Sequence, residues 1–397
     1  MSDTESAGGR TARDVVALIR ARGPLTRAEV LALTRLPKST VNGAVQALLD
    51  AGVLVGTAAG PRGPGRPGPR AVRLDLAPST ALVGVVALSH SRLRAGLVEP
   101  GGRVRQARTL SVSPLEPGFD LVDDGERLLR EMLEAAGADQ VDAVAIGIPA
   151  PFQQGRGVAG VDEFAALMAQ LHPDAPPLPA WMLSDPAAAF TERFQVPAVA
   201  DNDANLAALG ESRYGAGHGH QSMVFVKIVD GVGAGIVING QLIRGAAGLA
   251  GEIAHIQAVP GGPLCACGRR GCLAAVLSTS DLGTSGDEKG APPTRLGDLL
   301  TMAAFRGNDV SPAAVEALRM VGRLLADVCL WLSPDAVVLD GLLAQTSDLV
   351  VETITDSLRT QAGPLFAEAV QVVPGALGGE AELLGGLALT AELEGRR

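Results

Sequence analysis

The chain has 397 residues, enough for two or three domains and a sizeable core. Hydrophobic residues make up 47% and charged residues 19%, which excludes a wholly disordered chain, and the 50 Gly and 26 Pro follow no short period, which excludes collagen and simple tandem repeats. The net charge of −10 divides unevenly: residues 1–80 hold 11 basic against 6 acidic side chains (+5), and the remainder holds 22 against 37 (−15). A small basic head on a large acidic body points to a polyanion-binding module joined to something else. No apolar stretch approaches the ~18 residues that a membrane-spanning helix needs, and the polar start MSDTESAGGR lacks the apolar core of a signal peptide, so the expected location is the cytoplasm.

In the head, ARDVVALIRARG places Val15, Val16, Leu18 and Ile19 at helical spacing, and Gly23-Pro24 ends that helix. Thr26 and Glu29 form a T-x-x-E capping box ahead of Val30, Leu31 and Leu33, which starts a second helix. A third carries Val41, Val45, Leu48 and Leu49 on one face and stops at Gly52. Three short helices in about 40 residues make a helix-turn-helix plan. The third helix has a polar face of Ser39, Thr40, Asn42 and Gln46, with Arg35 and Lys38 at its start, suited to base edges and phosphates respectively. A three-helix protein-interaction module is the alternative; the local basic excess favours DNA. Two apolar strand-like runs then bracket the loop GPRGPGRPGPR, which reads as the wing of a winged helix with Arg62 and Arg66 near the DNA, or as a linker with a chance Arg cluster. The head therefore spans residues 1–75.

From residue 81 the pattern alternates strands and helices, which argues for an α/β body. Glycines 231, 233, 235 and 240 lie between two strand-like runs, and glycines 245, 248 and 251 precede a short helix or turn; such positions admit close backbone approach to a ligand or simply permit turns. The cysteines are more specific. His255 with Cys265, Cys267 and Cys272 supplies one imidazole and three thiols in a compact loop, a complete four-coordinate structural zinc set, one ion per chain. Cys329, in ADVCLWL, reads as a core residue. The carboxylates of interest are Asp201 and Asp203 in ADNDAN, and Glu252; an Asp near a strand end can act on a sugar hydroxyl or serve as an Asx turn or helix cap.

The segment GVGAGIVINGQLIRGAAGLAGEIAHI, the following CACGRRGC and the upstream ADNDANLAALGE resemble the ROK family of sugar kinases and sugar-responsive repressors (repressor, open reading frame, kinase). The likeness covers essentially the whole chain, because the head resembles that of the family's repressor branch. It implies an actin-like, two-lobed sugar-kinase body (ribonuclease H-like) preceded by a winged helix-turn-helix. The lobes would span 76–200 and 201–397, with the C-terminal helix able to return to the first lobe. Carried over by position, Asn202 and Asp203 would bind sugar hydroxyls, Asp203 standing where a kinase has its catalytic base. Glu252 and His255 would also face the sugar, His255 reaching the zinc through its other nitrogen.

Three departures from the family pattern bear on activity. Where the family has an Asp followed by Gly-Gly-Thr after the first strand, this chain reads Ala87, Leu88 and Ser89; at the Gly-rich turn near the adenosine end only Gly341 remains. Without the carboxylate that places Mg²⁺ and the glycines that admit phosphate, ATP chemistry loses its positioning and electrostatic support. Two residues after the last cysteine of the loop, Ala274 replaces an expected sugar-binding Glu. The expectation is a regulator rather than an enzyme: paired heads of a homodimer, or of a dimer of dimers, on double-stranded operator DNA, repressing transcription under a sugar or sugar-phosphate effector. The rival readings are an active hexose kinase with a DNA-binding head, and a regulator answering to a protein partner.

Overall fold

The computed structural model describes residues 11, 12, 14–16, 18, 19, 24–34, 36–58, 72–77, 81–116, 118–171, 173, 177–228, 231–279, 312–340, 348–364 and 368–394. Two compact units divide the chain: residues 1–82 with 99–105, and residues 83–98 with 106–397.

In the first unit, helical residues between 11 and 19 are followed by α1 (Arg27–Thr34) and α2 (Lys38–Asp50). A three-stranded sheet runs in the order β1 (Leu25–Thr26), β3 (Val72–Leu76), β2 (Leu54–Ala58), with β3 antiparallel to both neighbours. The capping box forms as the sequence predicts. The Glu29 carboxylate accepts from the Thr26 N–H at 2.7 Å, and the Thr26 hydroxyl accepts from the Glu29 N–H at 3.2 Å. These bonds satisfy donors that the first helical turn would leave bare. Helix α2 ends where Gly52 takes a left-handed φ of 69° and the Val53 N–H reaches back to the Leu48 carbonyl. Val15, Ile19, Val30, Val41 and Val45 pack with Leu54, Leu74 and Leu76 into one core.

The second unit repeats one strand plan twice. Its first sheet has the order β6 (Val104–Ser111), β5 (Arg92–Val98), β4 (Val83–Leu88), β7 (Ala143–Ile148), β10 (Ala198–Asn202), with β4 antiparallel to β5 and β4, β7 and β10 parallel. Its second has β13 (Gln241–Leu242), β12 (Val232–Ile238), β11 (Ser222–Ile228), β14 (Ala336–Leu339), β15 (Gln371–Pro374), with antiparallel pairs followed by parallel ones. Each sheet is thus three meandering strands extended by two parallel ones. The parallel additions need helical crossovers: α3 (Leu121–Ala136) in the first sheet, and α9 (Pro312–Leu332) and α10 (Asp348–Ala362) in the second. Between β7 and β10 lie the short hairpin β8 (Phe152–Gln153) and β9 (Gly157–Val158) and helices α4 (Val161–Leu171), α5 (Ala180–Leu183) and α6 (Pro186–Phe194).

Two helices join these layers. Helix α7 (Asp203–Tyr214) lies on β11 and β12, α11 (Ala381–Glu394) lies on β4, β5 and β7, and the two pack against each other. Gly385 abuts the Leu206 carbonyl and Gly210 abuts the Ala381 carbonyl, so a side chain at either position would hold the helices apart. The β4 strand is buried along its whole length, as is β14, which matches their unbroken apolar sequences.

Candidate functional site

Strand β10 runs directly into α7, and there Asn202 and Asp203 stand with Glu252 nearby, while His255 joins the cysteines. Asn202 is the N-cap of α7: its side-chain oxygen accepts from the Ala204 and Asn205 N–H groups at 2.9 and 3.2 Å, and its amide donates to the Ala150 carbonyl at 3.1 Å. Asp201 is fully buried and turned to a different partner, accepting from Arg244 Nε at 2.5 Å and from Asn205 Nδ2 at 2.7 Å. Arg244 also reaches Glu392, so this ADNDAN carboxylate anchors α11 rather than opening to a ligand.

Asp203 meets a residue the motif reading missed. Its Oδ2 accepts from Lys227 Nζ at 2.7 Å, its Oδ1 accepts from the Ala204 N–H at 2.8 Å, and Lys227 also donates to Glu382 Oε1 at 2.8 Å. All three side chains are nearly enclosed. Burial alone would favour a neutral amine on Lys227, but the charges of Asp203 and then Glu382 outweigh it and raise its pKa above the usual lysine range. For Glu382 the balance runs the other way: burial pushes its carboxyl up, Lys227 pulls it further down. One sequence signal did exist, a Lys in the apolar run MVFVKIV of a chain with only three lysines.

Glu252 sits close enough to Asp203 to feel its charge; burial first, and Asp203 second, push its carboxyl up to about 7. It caps a 3₁₀ turn, Ile253–His255, which presents His255 to the cysteines. The glycines around this segment act mainly in packing and turns. Gly235 abuts Ala204 and Ala208 of α7, Gly251 abuts the Ala234 carbonyl, Gly248 abuts the Phe152 carbonyl, and Asn239-Gly240 makes a left-handed hairpin turn.

His255, Cys265, Cys267 and Cys272 place their ligand atoms within 4.8 Å of one another. His255 Nδ1 is 3.5 Å from Cys265 Sγ, and the Cys267 and Cys272 sulfurs are 3.6 Å apart. Metal–sulfur bonds of ~2.3 Å in a tetrahedron give an edge of about 3.8 Å, so the donor set fits a tetrahedral ion with nitrogen and sulfur ligands. Nδ1 faces the sulfurs, which leaves the other ring nitrogen for a different partner. Tight backbone bonds hold the loop, from the Cys265 N–H to the Arg269 carbonyl and from the Gly268 N–H to the Cys265 carbonyl. The Arg269 guanidinium interacts with the cysteine sulfurs and donates to the His255 carbonyl, a cation placed beside the donor set. Cys329 is buried in the core, as its sequence context indicates.

The segment Ala87, Leu88 and Ser89, where the sequence departs from the family pattern, ends β4 in a tight hairpin. The Ser89 N–H bonds the Arg92 carbonyl at 2.8 Å across a two-residue turn between β4 and β5. Ala274 lies half-buried in α8 (Leu273–Thr279), immediately beyond the cysteine loop. Gly341 lies outside the described residues.

In the head, Lys38, Ser39 and Gln46 are exposed on α2, and Thr40 and Asn42 are half-buried. Gln46 already bridges Arg27 and Asp50 at 3.3 and 2.8 Å. Arg35, Arg62 and Arg66 lie outside the described residues.

A sheet plan repeated twice, a polar cluster at the start of α7 and a loop of one histidine and three cysteines place the body in the actin-like, sugar-kinase fold class. The family model for ROK matches residues 126–392, and the chain belongs to the ROK family. It is 33% identical over 210 residues to a glucokinase of Halalkalibacterium halodurans, covering 49% of this chain and 64% of that one. It is 29% identical over 209 residues to a xylose repressor of Bacillus spizizenii, covering 52% and 53%. The aligned part thus spans less than two thirds of either relative. The crystal structure of a ROK family transcriptional regulator homologous to the Escherichia coli MLC protein shares the fold, with a TM-score of 0.61 at 22% identity over 97% of both chains. Relatives of both kinds, kinase and repressor, therefore stand beside this chain. Among the described residues no helix is long and apolar enough to cross a membrane.

Proposed function

We propose that the protein is a sequence-specific DNA-binding transcriptional regulator, a repressor in sign, controlled by a sugar or sugar derivative in its kinase-like cleft and lacking kinase activity. The observation that carries the reading is the engagement of Asp203. A general base for phosphoryl transfer takes the substrate hydroxyl on a carboxylate oxygen, and here Oδ2 is ion-paired with the buried Lys227 ammonium and Oδ1 shares the Ala204 N–H with Asn202, so a substrate hydroxyl would compete with partners already in place. The tight β4–β5 hairpin, in place of a phosphate loop, supports the same conclusion.

In this reading the head is a winged helix-turn-helix. Lys38, Ser39, Thr40, Asn42 and Gln46, with Arg35, Arg62 and Arg66, contact operator DNA, two heads being paired in a homodimer. Asn202, Asp203, Glu252 and His255 form the effector site, and a structural zinc held by His255, Cys265, Cys267 and Cys272 ties that site to its loop.

Selection of operator fragments with the full-length chain tests the reading, followed by binding measured across salt concentration. A palindromic site, an affinity that falls steeply with salt and loss of binding on deleting residues 1–75 are expected. A parallel assay for ATP-dependent phosphorylation of a hexose panel is expected to be negative. Turnover that Asp203→Asn abolishes would establish the kinase instead.

A further inference from the structure

We propose that the cysteine loop is an oxidant-responsive modification site, at which a peroxide joins Cys267 to Cys272 in a disulfide and so dismantles the metal donor set. The proposal rests on the metal reading of the loop and is independent of the regulator reading.

The cysteines of the loop differ in access. Cys265 and Cys272 are buried whereas Cys267 is exposed, so a small oxidant in solution meets one sulfur first. That sulfur has a cationic surrounding: the Arg269 guanidinium interacts with Cys267, and Arg270 is exposed beside it. Exposure with flanking cations is the environment in which a cysteine sulfur acts as a nucleophile, and Cys329, buried in the core of the body, lacks that access. A partner is already in reach. Cys272 Sγ lies 3.6 Å from Cys267 Sγ, while Cys265 Sγ lies on the histidine side, 3.5 Å from His255 Nδ1. A disulfide needs about 2.05 Å, a gap that side-chain rotation closes. Between the two cysteines Gly268 and Gly271 take left-handed φ values of 84° and 75°, which doubles the chain back and sets the sulfurs face to face.

The chemistry balances with the peroxide as the only co-reactant. The Cys267 thiolate attacks one peroxide oxygen, an S–O bond forms as the O–O bond breaks, and the departing oxygen takes a proton to leave as water or an alcohol. Cys267 is then a sulfenic acid, oxidised by two electrons, and the peroxide has been reduced by two. The Cys272 thiolate attacks that sulfur, the S–S bond forms, and the S–O bond breaks with hydroxide leaving to be protonated to water. Two of the four donors are consumed, and His255 with Cys265 cannot complete a tetrahedral set. The effect reaches the turn that carries His255, because the loop is tied to the residues that follow it. The Ala258 N–H bonds the Gly271 carbonyl at 2.8 Å, and the Leu273 N–H bonds the Ile256 carbonyl at 3.0 Å. Oxidation therefore loosens the Ile253–His255 turn together with the loop.

Titration of the full-length, metal-loaded chain with hydrogen peroxide tests this, read by thiol count in denaturant, by metal content and by peptide mass. The four thiols of the chain should fall to two, Cys265 and Cys329, with Cys267 cross-linked to Cys272 and metal released in step. Dithiothreitol with added zinc should restore all four thiols and the metal. Arg269→Gln keeps every ligand and should slow thiol loss at least about threefold. Cys267→His keeps four donors but removes the nucleophile, so its metal should survive a dose of peroxide that empties the parent. If that variant does not fold, Cys267→Asp makes the same test. A cross-link through Cys265 or Cys329, a product that dithiothreitol does not reverse, equal rates in the parent and Arg269→Gln, or four thiols intact in a large excess of peroxide would overturn the proposal. Metal missing before any oxidant is added sinks the metal reading, and the cross-link then still decides the modification site.

Discussion

Lys227 is the residue on which the chemistry of the body turns. It is buried, and its charge is stabilised chiefly by Asp203 and Glu382, which meet it at 2.7 and 2.8 Å. Lys227→Met would leave two buried carboxylates facing each other, and a loss of about 3–5 kcal/mol in denaturant unfolding is expected; Asp203→Asn added to it should recover part of that loss. Glu252 carries a separate, pH-dependent liability. Its carboxyl is raised to about 7 in the folded chain against an ordinary value of 4.5, so the folded state binds its proton more tightly than the unfolded state. The resulting stability is full below pH 4.5 and is lost as pH rises through about 7. Glu252→Gln should remove that component: Tm measured from pH 5 to 8 should fall less steeply than in the parent, with the variant the more stable by about 1–3 kcal/mol at pH 8.

Elements are held by a few local devices that differ between the two units. In the head the capping box of α1 satisfies two donors at once, and Thr26→Ala should cost about 1 kcal/mol, read as a lower midpoint for the head. In the body the pairing of α7 with α11 depends on Gly210 and Gly385, where backbone meets backbone. Gly385→Val should push the helices apart and cost at least about 2 kcal/mol, visible as a lower unfolding midpoint and a lower soluble yield. The buried Glu211, on α7, fixes the neighbouring loop by accepting from the N–H groups of Ala216, Ala376 and Leu377. That clamp holds the turn ahead of Gly378 and Gly379.

At the scale of the whole molecule, the head and the body have separate cores, the former built from Val15, Val41, Leu54 and their neighbours, and the loop of His255 and the three cysteines belongs to the body alone. About one zinc per chain is expected by metal analysis, and chelation should lower the body's calorimetric transition and leave that of the head in place. Unchanged stability and DNA affinity in a metal-free preparation would refute the structural role. Much of this organisation was legible from the residues: the capping box, the Gly52 stop, the strand runs of the body and the spacing of His255 from its three cysteines are all set by neighbours a few positions away. The glycine segment was only half legible, because a glycine that packs under a helix, as Gly235 does under Ala208, has the same local signature as one that cradles a ligand.

By itself, then, the sequence determined the local elements, the family likeness and the compact grouping of His255 with three cysteines, since capping, hydrophobic period and residue spacing act over short stretches of chain. Only the tertiary structure decided how the charges pair. Asp203, Lys227 and Glu382 span some 180 positions and sit on three different elements, α7, β11 and α11, and no periodicity links them. Desolvation explains why they had to meet: a cation buried on an apolar strand persists only where the fold delivers carboxylates to it, and here it delivers Asp203 and Glu382.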